Sequence, residues 1–440
     1  MIASKLQGFT DTQKSLLINA CIAFLWWLAF NPGFYSGDSF GVIEMARSGN
    51  ISSESTAIWA IAVKFLTING SHPELATLFF SQLLVFSISL LAHSLFKGKS
   101  AIWGSAVLCA TPLVGAMGVT LWHDIPMTSG FLLVATGYLR SMRKEPHAVV
   151  LLTLGVTFSS FRYNGIPTIL VSLILLTVFF RPKKFIAIAL VSTIGVGVLT
   201  SGLDTRFSPP TSTHSDGLIN WMRYDLSCYA ANFSDEEFFF KEFSGKTTLE
   251  FWKSSQACTW FNDSEAFFKR PTNLAENIPS AWIALTLKEP LFVLTTHMKR
   301  HEYLNPFPFY GPPSMPFIHT TIESPGESIY FLNADLSESL RIYPRIWNYF
   351  NFIFGYSGFW LMMIFALAWR KRNPVYFGLG IFGLVLNGGL FVFAIISDAR
   401  FSLFVLISSQ LIVFVEFLNF AKGKMNPKFF RSSVKAKTER

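Results

Sequence analysis

Five short stretches of the chain combine residue types that handle protons or anions, and each lies where an apolar run ends. They are Tyr35-Ser36-Gly37-Asp38-Ser39, His72-Pro73-Glu74, His123-Asp124, Arg162-Tyr163-Asn164-Gly165 and Asp398-Ala399-Arg400. A carboxylate set beside a hydroxyl can take its proton. A guanidinium presents a planar fork of donors matched to phosphate, and its charge stabilises a phosphate as it leaves. Asp38 and Asp124 with Arg162 and Arg400 therefore suit transfer of a group from a phosphate-linked donor to a hydroxyl. The sequence has no glycine loop of the P-loop or Rossmann type, so a donor carried in the lipid fits better than a nucleotide.

The elements that must position these residues are helices in lipid. Of 440 residues, 51% are hydrophobic, only 14% are charged and 47 are phenylalanine, which leaves too little charge to cover a soluble protein of this size. The apolar residues are bunched into ten runs, 16–34, 75–96, 101–122, 125–139, 148–161, 166–180, 185–203, 346–369, 374–396 and 401–421, each read as a membrane helix. Ten crossings put both termini on one side. Lys and Arg gather in short cytoplasmic loops, and 20 of the 36 lie at the N-terminus, in the loops after every second run and in the tail after Ala421. That side then carries +16 and the other −7. The expected fold is an all-α polytopic membrane protein of about ten transmembrane helices, with both termini cytoplasmic and a mostly helical extracytoplasmic segment. The net charge of +9 then reflects topology, and no nucleic-acid partner is expected.

The chain divides accordingly into 1–203, with seven runs and the first external loop; 204–345, the large external segment; 346–421, with the last three runs; and a basic tail, 422–440. The external segment is aromatic but charged, with a helix-start signal at Ser234-Asp235-Glu236-Glu237, so short helices are expected there. One of them is an interfacial amphipathic helix over 281–304. Cys228 and Cys258 both fall in this segment, on the oxidising side, and are the candidate disulfide pair. His297 and His301 share a helix face at i, i+4 but have no obvious third metal ligand. Within the runs the only ionisable groups of note are His93 and Glu416, near cytoplasmic ends, whereas an ion-coupled pump needs carboxylates near the midplane. The runs flanking the Asp124 and Arg162 turns are short. Fourteen or fifteen helical residues rise about 21–23 Å against a hydrocarbon core of about 30 Å. Those turns are expected below the outer lipid surface, where charged irregular backbone is tolerated only in protein or around a wet cavity.

In their order and shared side, these motifs resemble the GT-C superfamily of integral-membrane glycosyltransferases, most closely over the first seven runs. The pattern is similar to bacterial members related to the aminoarabinose transferases of lipid A, the protein O-mannosyltransferases and the phage-type O-antigen glucosyltransferases. The resemblance implies inverting transfer from a polyprenyl-phosphate sugar to a hydroxyl of a glycan or glycolipid, on the extracytoplasmic face of a bacterial inner membrane. It implies Asp38 as catalytic base, Asp124 as the second acidic position and also catalytic, and Lys64, Arg162 and Arg400 as ligands of the donor phosphate. His72, His123, Tyr163 and Asn164 fall around the sugar or acceptor. Some relatives use a divalent cation, Mg or Mn, for which Asp38 and Asp124 are the candidate ligands. The chain departs from the pattern in reading His123-Asp124 where Lys-Asp is frequent, and Arg400-Phe401 where tyrosine is common.

Two other classes compete with this one. A polysaccharide polymerase or ligase would keep its decisive arginines within 204–345. A lipid or sugar flippase or transporter would have a deep charged pathway and repeat symmetry, and the sequence displays neither.

Overall fold

The structure, a computed structural model, describes residues 9–51, 55–179, 183–207, 215–254, 258, 265, 274, 276–305, 339–393 and 399–421. Among these, regular structure is helical apart from one isolated bridge. The helices before residue 208 are α1 (Asp11–Phe30), α2 (Gly37–Ser48), α3 (Ala57–Leu66), α4 (Pro73–Leu95), α5 (Lys99–Ala110), α6 (Pro112–Gly118), α7 (Asp124–Met142), α8 (Ala148–Ser159), α9 (Gly165–Phe179) and α10 (Lys183–Phe207). The next segment holds α11 (Ser215–Phe233), α12 (Glu236–Glu242), α13 (Leu249–Trp252), α14 (Ile278–Lys288) and α15 (Pro290–Arg300). The last part holds α16 (Ile342–Asn348), α17 (Asn351–Phe354), α18 (Ser357–Lys371), α19 (Pro374–Phe393) and α20 (Leu403–Ala421).

Five of the described helices are long and apolar enough to cross a membrane, over Asp11–Phe30, Pro73–Leu95, Ala187–Phe207, Pro374–Phe391 and Arg400–Phe420. The pair α5 and α6, bent by 60°, makes a sixth if counted as one span. Val191, Val198 and Phe417 on these helices are well exposed, an apolar surface suited to lipid rather than water.

Three runs expected as single helices are broken. Pro112 has no N–H to continue the hydrogen-bond ladder, and the 101–122 run turns sharply there into α6. The 346–369 run is divided among α16, α17 and α18, with Tyr356 in an extended conformation ahead of the last. Pro290 divides the expected 281–304 helix into α14 and α15.

Helix α7 is central. Every residue from Asp124 to Leu139 is buried, with α4, α8 and α20 packed around it, which is why this run lacks a polar face. Gly130 and Gly155 let α7 and α8 meet backbone to backbone: a Cβ on Gly130 would lie 2.5 Å from Gly155 O, and one on Gly155 2.7 Å from Gly130 O. Asn19 Nδ2 donates to Ser89 Oγ at 2.8 Å and Ser105 Oγ at 3.0 Å, tying α1, α4 and α5 together. Interhelical polar bonds of this kind hold helices that gain nothing from hydrophobic burial against lipid.

The segment from α11 to α15 has its own aromatic core, with Phe239, Phe243 and Trp252 at its centre, and a disulfide joins Cys228 to Cys258. Buried Asp225 organises its polar interior. Its Oδ1 accepts from Arg300 Nη2 at 2.8 Å, and its Oδ2 accepts from Trp282 Nε1 at 2.8 Å and lies 2.7 Å from His297 Nε2. His297 Nδ1 lies 2.8 Å from Phe391 O near the end of α19. Both ring nitrogens are thus engaged, which corrects any reading of His297 and His301 as a metal pair. On α15 His297 and Arg300 turn into protein toward Asp225, while Leu291 and Leu294 are exposed.

Candidate functional site

A backbone crossing sets the geometry of the site. Phe34 and Thr120 form a parallel bridge, with Phe34 N donating to Val119 O at 3.1 Å and Leu121 N donating to Phe34 O at 3.2 Å. Four residues beyond each partner stand Asp38 and Asp124, each in the first turn of its helix, α2 and α7. That turn suits a carboxylate because its unpaired N–H groups carry partial positive charge. The crossing requires Gly33, whose φ is +122° and whose Cβ, if present, would lie 2.7 Å from Val119 O. Ser39 Oγ donates to Leu121 O at 2.9 Å, and Trp122 Nε1 donates to Ser36 Oγ at 2.7 Å, fastening the two segments side by side.

Two arginines from distant parts of the chain converge on these carboxylates. Arg162, in the turn between α8 and α9, pairs with Asp124 Oδ1. Arg400, in the short turn Ala399–Ser402 ahead of α20, reaches both acids: Nη2 is 3.0 Å from Asp38 Oδ2, and Nε is 3.8 Å from Asp124 Oδ2. Aromatic faces hold the guanidiniums in place. Arg162 lies 4.1 Å and Arg400 5.0 Å from the Phe401 ring centre, and Arg400 lies 4.5 Å from that of Trp122. The charges therefore run Arg162, Asp124, Arg400, Asp38. Burial grades along the row, from Asp124 at 1% exposed to Arg400 at 13% and Asp38 at 55%. One carboxylate is sealed and the other is open.

His123 sits beside Asp124, with Nε2 3.7 Å from Asp124 Oδ2 and its ring edge-on to Trp59. Tyr163 OH donates to Ser55 O at 3.1 Å, and Asn164 Oδ1 is buried with no hydrogen-bond partner. His72 pairs with Glu74 at 2.9 Å and is about half exposed. Lys64 is exposed on α3 beside Gly49. No described hydrogen bond or ion pair joins His72 or Lys64 to the four charges, and Asp398 lies outside the described residues.

Two contributors escaped the sequence reading. Trp122, the platform under Arg400, stands next to His123-Asp124, and that adjacency was the available signal. Asp204 was read only as the start of the external segment, yet its Oδ1 accepts from Ala57 N at 2.6 Å and caps α3. Its partner is 147 residues away, so nothing local announces the role.

A divalent cation bridging Asp38 and Asp124 does not fit this arrangement, because the Arg400 guanidinium already lies against both. Among the described residues no three His, Cys, Asp or Glu side chains gather as metal ligands. No protein family, curated protein or solved structure matches the chain. What the site does must be argued from its own residues: an open carboxylate that can accept a proton, touching a guanidinium that can bind an anion.

Proposed function

We propose that the chain is an inverting glycosyltransferase of the GT-C kind. It moves a sugar from a polyprenyl phosphate to a hydroxyl of a glycan or glycolipid, on the extracytoplasmic face of a bacterial inner membrane, with about ten crossings and both termini cytoplasmic. The observation that carries this reading is the contact between exposed Asp38 and Arg400 at 3.0 Å. A proton acceptor and a phosphate-binding fork side by side are what a single displacement at an anomeric carbon needs. Asp38 takes the proton of the acceptor hydroxyl as its oxygen bonds to the anomeric carbon. The bond from that carbon to the phosphate oxygen breaks, and its electron pair leaves on polyprenyl phosphate, whose charge Arg400 stabilises. The proton on Asp38 then passes to water.

Asp124 has a different part from the catalytic one the resemblance implied. At 1% exposure it is a positioning residue that holds Arg162 and Arg400. A mostly apolar groove of about 330 Å³ between α9 and α10, lined by Ile166, Leu170, Ile194 and Val198 with Thr193 and Ser201, suits an isoprenoid chain. Asn164, Tyr163, His123, His72 and Lys64 remain candidates for contacts to sugar, acceptor or phosphate.

Purified protein in liposomes, given radiolabelled polyprenyl-phosphate sugars and candidate glycan acceptors, tests the proposal. Label should pass to an acceptor. Lipid movement across the bilayer without transfer would instead assign a flippase.

A further inference from the structure

We infer that Arg400 is handed from the base to the donor: an arriving donor phosphate takes Arg400 from Asp38, so the Oδ2 edge of the base, the one that faces the donor phosphate, opens to an acceptor only once the donor is seated. This rests on the glycosyltransferase reading and adds to it an order of binding, donor before acceptor.

Both guanidiniums of the row face carboxylates, so a phosphate that enters must draw one of them away. The two pairs differ in what they would leave behind. Opening Arg162 from Asp124 leaves a carboxylate that is 1% exposed with only the 3.8 Å contact to Arg400 Nε, and a poorly compensated buried charge is heavily penalised. Opening Arg400 from Asp38 leaves a carboxylate that is 55% exposed, and water takes over; exposed pairs are worth little. Arg400 is also built for the exchange. Its Nε edge faces Asp124 at 3.8 Å and its plane rests on Trp122 and Phe401, while Nη2 is the atom that meets Asp38. The fork can turn its outer edge to phosphate and keep its inner anchor. While Asp38 Oδ2 accepts from Arg400, that oxygen is not open to an acceptor hydroxyl, and the exchange releases it. An acceptor arriving without donor therefore finds Oδ2 engaged.

The test is a double-mutant cycle read by binding of polyprenyl monophosphate to the full chain in nanodiscs, with the uncharged polyprenol as control. Asp38 is exposed, so Asp38→Asn should leave the melting temperature unchanged. Removing the competitor should tighten polyprenyl monophosphate binding about two- to fivefold. Arg400→Gln should weaken it, and adding Asp38→Asn in that background should bring no gain. Polyprenol binding should be alike in all four proteins. Unchanged or weaker binding in Asp38→Asn overturns the hand-over. So does an equal gain with and without Arg400, which would mark bulk electrostatics. If wild type and Arg400→Gln bind polyprenyl monophosphate equally, the donor-site reading fails and the hand-over with it.

Discussion

Asp38 and Asp124 each lie four residues beyond one partner of the parallel bridge between Phe34 and Thr120, so one crossing fixes the register of both acids. Gly33 makes that crossing possible. With φ at +122° and Val119 O 2.7 Å from where a Cβ would stand, Gly33→Ala must strain or shift the segment, at a cost of about 1–3 kcal/mol. The expected result is a lower melting temperature and slower sugar transfer. A variant matching wild type in both would separate the bridge from the site.

The ion pair of Asp124 with Arg162 joins α7 to the α8–α9 turn inside the helix core. Removing Arg162 leaves buried Asp124 with only the 3.8 Å contact to Arg400 Nε, and breaking a buried pair typically costs about 3–5 kcal/mol. Arg162→Ala should therefore destabilise the protein far more than Lys64→Ala, whose side chain is exposed. Thermal unfolding in detergent, with both variants measured side by side, checks the ranking.

Much of this layout could be read from residue order, for definite reasons. Apolar runs mark helices because a backbone in lipid must satisfy its own hydrogen bonds. Charges confined to run ends pick out Asp38, Asp124, Arg162 and Arg400, and the structure brings these four together. What could not be read depends on partners far along the chain. The helix break at Pro112 lies inside a run whose hydropathy continues across it, and Pro290 lies inside a segment whose amphipathic pattern reads as one helix. The inward turn of His297 and Arg300 needs Asp225 from another helix, and a polar face at 290–301 looks the same whether it meets water or a buried carboxylate. His72 and Lys64 carry suitable chemistry at suitable junctions, yet no described bond links them to the row, and order alone gives no distance.

Asp225 should give the 204–345 segment an acid-sensitive stability. Burial by itself would raise its pKa, but Arg300, then His297 and Trp282, bring it below the ordinary carboxylate value. An unfolded Asp titrates near about 3.9. Because the folded value is lower, the stabilisation is complete above about pH 4 and is lost as pH falls from there through the folded value. Tryptophan fluorescence against pH should show that acid limb in wild type. Asp225→Asn should be less stable at pH 7 and show a smaller limb, the remainder coming from Asp235, whose bond from Lys288 also holds its carboxyl below the ordinary value.

The Cys228–Cys258 disulfide links positions 30 residues apart. Closing a loop of that length restricts the unfolded chain and stabilises by about 3.6 kcal/mol. Reduction, or a Cys228→Ser and Cys258→Ser double variant, should lower the unfolding temperature of this segment. Protease cleavage between residues 204 and 345 should speed up accordingly. An unchanged cleavage rate would mean the bridge contributes nothing to stability.

Asp38 as the base is tested most directly by single-turnover transfer in liposomes at saturating polyprenyl-phosphate sugar, comparing wild type with Asp38→Asn. General-base catalysis contributes about 10²–10⁴ in rate. The expected result is a loss of that size, with an unchanged melting temperature and donor binding no weaker than wild type. Transfer by Asp38→Asn at the wild-type rate would contradict it.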